Sequence, residues 1–569
     1  MTRALALLPL LLLGACSSPS PAAVPDASAA DAPDAPAADA PAADAPMVFI
    51  RRALATRTRA APTCPSPDEA PLRTGASPDA FACVRLGASP DVLGSDWPDA
   101  AALPAPVRYI RSGIAPGGDG TPARPFSSLA EALAAAPTVR TLVFSRGDHA
   151  LAPSLALPAE LTLVGAGATA TTLTLSPDGA GLVVRASARF SAASLTLRHP
   201  GDSPAPEASI LLDATDASVT LRDVALDHGH DALRLTGGTL SATRLTVRRA
   251  ARYGVHLRAD ASATLDDVII RDGAQQGLRV EASHVQLTRG LVTANARHGV
   301  VLLGDADLTD GRASCFGAAP TPGPRDCLDG LVSHGNGVAG LYVEGRHTLD
   351  VRRASLANTR LAEVTSGQAG DGLVVGPGAT VTLDGDITDP ALQGSGSLVA
   401  GNARVGVLAQ GLNATLTLRG ALIAANAGGG VLLGANASAP LIGECLLVAN
   451  AFGGIVVTPG ASAGIVQCNG IAETRAGTLL TSSGSVTMAD GVHLNRSRGD
   501  TQLVENEVSV SERFGLLVNA ARGTLFRNRG DQNLYGIGLY GAADLIGDLE
   551  SIRGRETTQP IAPAFADSP

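Results

Sequence analysis

A glycine followed by alternating aliphatic residues returns about every 22 to 24 positions through the second half of this 569-residue chain. It reads YGVHL at Gly254, QGLRV at Gly277, HGVVL at Gly299, VGVLA at Gly406, GGVLL at Gly430, GGIVV at Gly454, FGLLV at Gly515 and IGLY at Gly538. A period of this length with strand-like contents marks a solenoid, in which each repeat buries its apolar face only against its neighbours. Length alone would suggest about four domains. A solenoid lengthens by adding coils and needs no separate cores.

Read by position, the repeat sorts into columns. One residue after the glycine stand Val255, Leu278, Val300, Leu341, Leu373, Val407, Val431, Ile455, Val492, Leu516 and Leu539, and three after it Leu257, Val280, Leu302, Val343 and Val457. Strand alternation turns both columns inward. Four before the glycine come Asn295, Asn336, Asn402, Asn426 and Asn450. An asparagine column at a turn is expected to form a structural ladder that satisfies buried backbone groups. Two further strand-like stretches per coil, such as Ala414 to Leu418 and Ala421 to Ala425, make three sheets. About 15 coils at ~4.8 Å each predict a rod on the order of 70 Å long. Coils with longer spacing, from Gly299 to Gly340, Gly340 to Gly372, Gly372 to Gly406 and Gly454 to Gly491, carry insertions.

The N-terminus is the second signal. Met1-Thr2-Arg3 precedes a short apolar run and then Leu13-Gly14-Ala15-Cys16. This is the pattern of a secretory signal, too short for a membrane span. The tetrapeptide resembles the bacterial lipobox, which implies cleavage before Cys16 and lipid attachment there, and Ser17 after it favours, by analogy, the outer over the inner membrane. Residues 17–46 form a Pro/Ala/Asp tether with no hydrophobic pattern. Residues 47–104 read as a small module around Cys64 and Cys83, serving as cap or spacer, residues 105–555 as the solenoid and 556–569 as a tail. An even set of six further cysteines in an exported chain suggests disulfides, paired in order as Cys64–Cys83, Cys315–Cys327 and Cys445–Cys468. The last pair sits one position out of register by the glycine spacing, so it requires a bulge. Two buried free thiols are the alternative.

The segment RYIRSGIAPGGDGTPARPFSSLAEALAAAPTVRTLVF, residues 108–144, reads as strand, turn, short helix over 127–136 and strand, with Ser128 and Glu131 as a capping box. Together with the repeat, it resembles the right-handed parallel β-helix proteins of the pectate-lyase-like superfamily, in which a helix covers the first coil. The implied fold is an all-β, right-handed parallel β-helix solenoid with a short N-terminal capping helix. The asparagine column resembles the ladder of these folds.

Candidate chemistry lies on the outward face of the glycine-led strands. Two residues after the glycine, the column reads Arg234, His256, Arg279, Val301, Tyr342, Val374, Leu408, Leu432, Val456, His493, Leu517 and Tyr540, with Arg258, Glu281 and Glu344 in the next outward column. It divides into a polar N-terminal part and an apolar centre, which needs covering by inserted loops or by a partner. Asp227, His228, His230 and Asp231 crowd the turn before Leu233. The candidate ligand-binding set is therefore Arg234, His256, Arg258, Arg279, Glu281, His230, Asp231 and Tyr342. Arginines suit the carboxylates of an anionic sugar, and histidine or a carboxylate suits proton transfer. Polygalacturonases of the resembled superfamily pair aspartates with a Gly-His-Gly turn and an Arg-x-Lys strand. Here the turn is DHGHD and the chain contains no lysine. No catalytic constellation, metal site or cofactor is assigned. A net charge of −10 without an arginine block disfavours nucleic acid as a partner. The expected function is a lipid-anchored surface module that binds polysaccharide or a surface protein or serves structurally. A lyase, hydrolase or epimerase acting on an acidic glycan is the alternative. The oligomeric state is left open.

Overall fold

The computed structural model describes residues 63–554 except for several short segments, chiefly 74–80, 90–95, 98–102, 202–206, 306–325 and 385–395. The signal segment with Cys16, the tether, Cys315 and the tail lie outside the described residues. All structural statements below concern the described ones.

The chain winds as a right-handed parallel β-helix. The glycine-led strands stack into a 16-stranded sheet in which Gly477–Thr481 pairs antiparallel, as half of a hairpin, and the others run parallel. The other two faces of each coil are the legs of bent strands such as Ser218–Asp227, Thr239–Arg248 and Ser262–Arg271. Each bends at one residue in the left-handed region: Asp223 at φ 53°, Arg244 at 54° and Asp267 at 54°. A single left-handed residue turns the chain sharply while the next one resumes the ladder, so Val224 pairs Leu245 after the bend. In later coils the legs separate into strands such as Thr415–Arg419 and Leu422–Ala424.

The inward columns form one continuous core. Val255, Leu257, Leu278, Val280, Val300 and Leu302 are all fully buried. Each such side chain contributes about 1.5–3 kcal/mol. Asparagines line the corner that leads into the glycine-led sheet. Asn295 N–H donates to Asn336 Oδ1 at 3.0 Å, and Asn402 and Asn426 donate in the same way to Asn426 and Asn450 at 3.1 and 3.2 Å. A second ladder, which the glycine-based reading did not reach, fills the bend between the legs. There Asn469 N–H donates to Asn506 Oδ1 and Asn506 N–H to Asn528 Oδ1, at 3.1 and 3.0 Å.

The helix spans Leu129–Ala135, with Ser128 Oγ accepting from Glu131 N–H at 3.1 Å. The Glu131 carboxylate reaches back to Ser127 and to the Gly117 N–H instead of to Ser128.

Cys64 and Cys83 are joined by a disulfide. The hairpin they staple, Glu69–Arg73 with Phe81–Arg85, lies along the flank of the rod instead of beyond its end. Ala70, Leu72, Val84 and Leu86 cluster with the outward Ile269, Leu291 and Val332 of three successive coils. From there the chain runs back toward the first coil, with Gly87 N–H on Asp267 O and Ala88 N–H on Thr246 Oγ1.

The expected Cys445–Cys468 disulfide is not formed. Cys445 is a buried free thiol, while Cys468 is disulfide-bonded elsewhere. The ladder explains why. Leu446 pairs Gly470, so Cys445 lies opposite Asn469 and accepts that residue's help through its own N–H, which donates to Asn469 Oδ1 at 2.9 Å. Cys468 instead occupies the left-handed bend, φ 54°, with its side chain turned outward near Glu505. No bulge closes the one-residue offset. Burial pushes the Cys445 thiol up to about 12.

Candidate functional site

The outward face of the glycine-led sheet carries the candidate residues on consecutive strands. Asp231–Thr236, Tyr253–Arg258, Gln276–Glu281, His298–Leu303 and Ala339–Val343 stack in register, so Arg234, His256, Arg279, Val301 and Tyr342 form one column. The coil at Gly538 corrects the sequence alignment. Leu517 pairs Gly538 and Phe514 pairs Tyr535, so the repeat's glycine there is Gly536 and Tyr540 lies opposite Asn519. A slip of two residues preserves which side chains face outward.

The face is laced with ion pairs between coils. Arg234 Nε donates to Asp213 Oδ1 at 2.9 Å, one coil back. Arg252 donates from Nε and a terminal nitrogen to both Asp231 oxygens at 3.0 Å. Arg279 donates to Glu281 on its own strand and to Gln276 Oε1 at 2.8 Å. The ring of Tyr253 lies 4.3 Å from the Arg252 guanidinium and 4.9 Å from that of Arg279. Arg258 is exposed, and His230 Nδ1 stands 3.7 Å from Asp231.

His256 sits at the centre, only 3% exposed. Its Nε2 is 3.0 Å from Glu281 Oε2 and its Nδ1 3.6 Å from Asp231 Oδ2. Tyr253 meets its ring edge-on at 4.8 Å. Burial by itself raises both carboxyls, yet hydrogen bonds from His256 and the neighbouring arginines outweigh it and hold Asp231 and Glu281 below their usual values. Both carboxylates are therefore ionised at neutral pH, and the imidazole lies between them, within hydrogen-bond distance of Glu281 only. The arrangement can orient Glu281, which is about one-third exposed, toward a ligand.

Further along the sheet, His298 stands edge-on to Tyr342 at 5.6 Å, and Tyr342 Oη donates to Glu344 Oε2 at 2.5 Å. Burial, then the charges of Arg297 and Arg279, press His298 down to about 4, so it is neutral.

The apolar centre of the column is covered by the chain itself. Val374, Leu408, Leu432 and Val456 are buried beneath Phe452 and the hairpin residues Leu479, Val486 and Met488. That hairpin, Gly477–Thr481 against Gly484–Asn495, is the insertion between Gly454 and Gly491.

Sequence reasoning missed the recurrence of the staple. Asp371 with Arg404 and Asp490 with Arg513 repeat the Asp231–Arg252 geometry, each a bidentate pair from the first outward position to the turn of the following coil. The signal was present as Asp-Gly at 371–372 and 490–491 followed by Arg-x-Gly at 404–406 and 513–515. Among the described residues, the one cluster with metal-like spacing is Cys64, Glu69 and Cys83, whose thiols are spent in the disulfide.

No family model matches the sequence, and no curated protein matches it. Solved structures do resemble the fold. The A-module of the Azotobacter vinelandii mannuronan C-5 epimerase AlgE4 is 16% identical, covering 80% of this chain and 98% of that one, with a TM-score of 0.29. Pectate lyase Pel9A is 12% identical over 75% of this chain and 79% of that one, TM-score 0.30. The catalytic domain of a GH87 α-1,3-glucanase in complex with tetrasaccharides is 11% identical over 81% and 70%, TM-score 0.32. At this distance the resemblance is one of fold.

Proposed function

We propose that this protein is an exported, lipid-anchored β-helix that binds polysaccharide on the polar half of its glycine-led sheet without transforming it. One observation carries the reading: Arg234, Arg252 and Arg279 are each committed to a carboxylate of the protein itself. Such a face is rigid and polar, suited to holding a ligand by hydrogen bonds. A catalytic guanidinium instead has to aim its N–H groups, preorganised, at the charge that develops on the substrate, whereas these aim theirs at the protein's own carboxylates. The anchor rests on the Leu13-Gly14-Ala15-Cys16 tetrapeptide.

The second reading is a lyase, hydrolase or epimerase, favoured by the buried His256 set between Asp231 and Glu281. Incubation with a panel of polysaccharides, followed by chromatography for products, separates the two. Binding without product is expected. Product that disappears in His256→Ala and Arg279→Ala would overturn the binding reading. Labelling with a palmitate analogue should be lost in Cys16→Ala, and retained labelling would refute the anchor.

A further inference from the structure

The hairpin on the flank of the rod carries a set of side chains that the polar face does not use. Cys64 and Cys83 are joined by a disulfide with their Cα atoms 5.6 Å apart, and Glu69 opens the first strand of the same hairpin. One carboxylate oxygen of Glu69 and the two sulfurs all lie within 4.8 Å of one another. The neighbouring Asp68 turns away, to Arg271 on the rod at 3.2 Å. Cys83 is exposed and Cys64 half-buried, so the staple stands at the surface. A carboxylate adds nothing to a disulfide. Beside two thiolates it completes a set of metal ligands.

We propose that Cys64, Cys83 and Glu69 form a zinc site when the staple is reduced, and that the metal then holds the hairpin in place of the bond. A dithiol reductant delivers two electrons and two protons to the disulfide, giving two thiols and leaving as a disulfide itself. Zinc displaces one proton from each thiol, so binding releases two protons and makes two Zn–S bonds. Around a tetrahedral zinc, with Zn–S about 2.3 Å, two sulfurs stand about 3.8 Å apart. With the Cα atoms 5.6 Å apart, side-chain rotation opens the sulfurs to that distance while the backbone stays. Glu69 supplies the third ligand, and water takes the fourth position, since Cys83 is exposed. Two thiolates and one carboxylate in a tetrahedral set select zinc over magnesium or calcium. A two-stranded hairpin is marginal by itself. This one covers Ile269, Leu291 and Val332, and none of its described residues belongs to the continuous core of the coils. Opening the staple without metal therefore bares the flank and leaves the solenoid intact. Zinc closes it again.

The test uses the full chain, oxidised or reduced anaerobically with a phosphine that is then removed, with Co²⁺ as spectroscopic probe and Zn²⁺ as competitor. Reduced wild type should take up Co²⁺ with thiolate-to-metal charge-transfer absorption that Zn²⁺ abolishes, and the oxidised protein should show none. Reduction also frees Cys327 and Cys468, which are disulfide-bonded. Cys64→Ser/Cys83→Ser is therefore the control and should lose the absorption. Absorption that survives this double substitution, or that is absent from reduced wild type, would overturn the site. Glu69→Gln should weaken Co²⁺ binding about tenfold or more, and unchanged affinity would remove the third ligand. An apolar fluorescent dye should bind the reduced, metal-free protein more than the oxidised one and be expelled by Zn²⁺, but not expelled from the double variant. Dye binding to reduced wild type that Zn²⁺ leaves unchanged would overturn the metal's role as a staple.

Discussion

Gly277 has to be glycine because of its neighbours, since its φ lies outside the left-handed region. A β-carbon there would stand 2.6 Å from Val292 Cγ1, 2.8 Å from Gly299 O and 2.9 Å from Asn295 Nδ2. Two of these are a backbone carbonyl and a ladder amide, neither of which can move without breaking its own bonds. The same approach recurs up the column, where a β-carbon on Gly406 would lie 2.6 Å from Asn426 Nδ2 and 2.8 Å from Gly430 O. Ala232 holds this position one coil before the column of glycines begins, where the matching corner residue is Ala250 and no amide intrudes. Gly277→Ala should therefore cost about 1–3 kcal/mol by overpacking, read as a lower urea midpoint. A midpoint equal to wild type would show that the ladder can shift. The glycine column and the asparagines were legible from sequence for this reason: both are dictated by local crowding that repeats with the period. The Cys445 thiol was not, because one position of register decides between core and solvent.

At the scale of the element, the hairpin Gly477–Thr481 with Gly484–Asn495 answers a need visible in the sequence. Val374, Leu408, Leu432 and Val456 form an outward apolar stripe, and their burial depends on Leu479, Val486 and Met488. The sequence left inserted loops or a partner as the cover for this stripe; the structure supplies the loop, and its folding into a hairpin over its own sheet is what the insertion's length alone did not specify. Replacing residues 478–487 with a short Gly/Ser linker should bare the stripe while leaving the coils intact. We expect increased binding of an apolar fluorescent dye and concentration-dependent self-association in light scattering. A variant that stays monomeric and dye-silent would mean that the stripe is covered by something other than this hairpin.

Across the whole molecule, stability is tied to pH by buried groups in successive coils. Burial, followed by the charges of Arg297 and Arg279, lowers His298 to about 4, and burial alone lowers His334 to about 4. Both are ordinary histidines when unfolded, titrating near ~6.5. Between these values the unfolded chain binds more protons than the folded one, so stability rises with pH through this window. Their contribution is complete above about pH 6.5 and declines as the pH falls to about 4. Below that, Asp231, Asp326 and Asp490, whose partners hold them beneath the carboxylate range against the effect of burial, lose their share as they protonate. Thermal unfolding followed from pH 7 to pH 3 should show a falling melting temperature in two stages. His334→Asn should flatten the first stage and leave the second. An unchanged first stage in that variant would remove His334 from the account.

The sequence by itself determined the solenoid, its inward columns and its ladder, because a parallel β-helix repeats one local environment every coil and writes the demands of that environment into one column of residues. It also determined which face would be polar. Only the tertiary structure decided that the arginines of that face are already paired, since Arg234 with Asp213 and Arg252 with Asp231 are 21 residues apart and meet only when coils stack. The same holds for the flank on which the Cys64–Cys83 hairpin lies and for the hairpin that closes the apolar stripe. Those contacts cross the period: the repeat can place an aspartate and an arginine beside the glycine, but only the stacking of coils makes them meet.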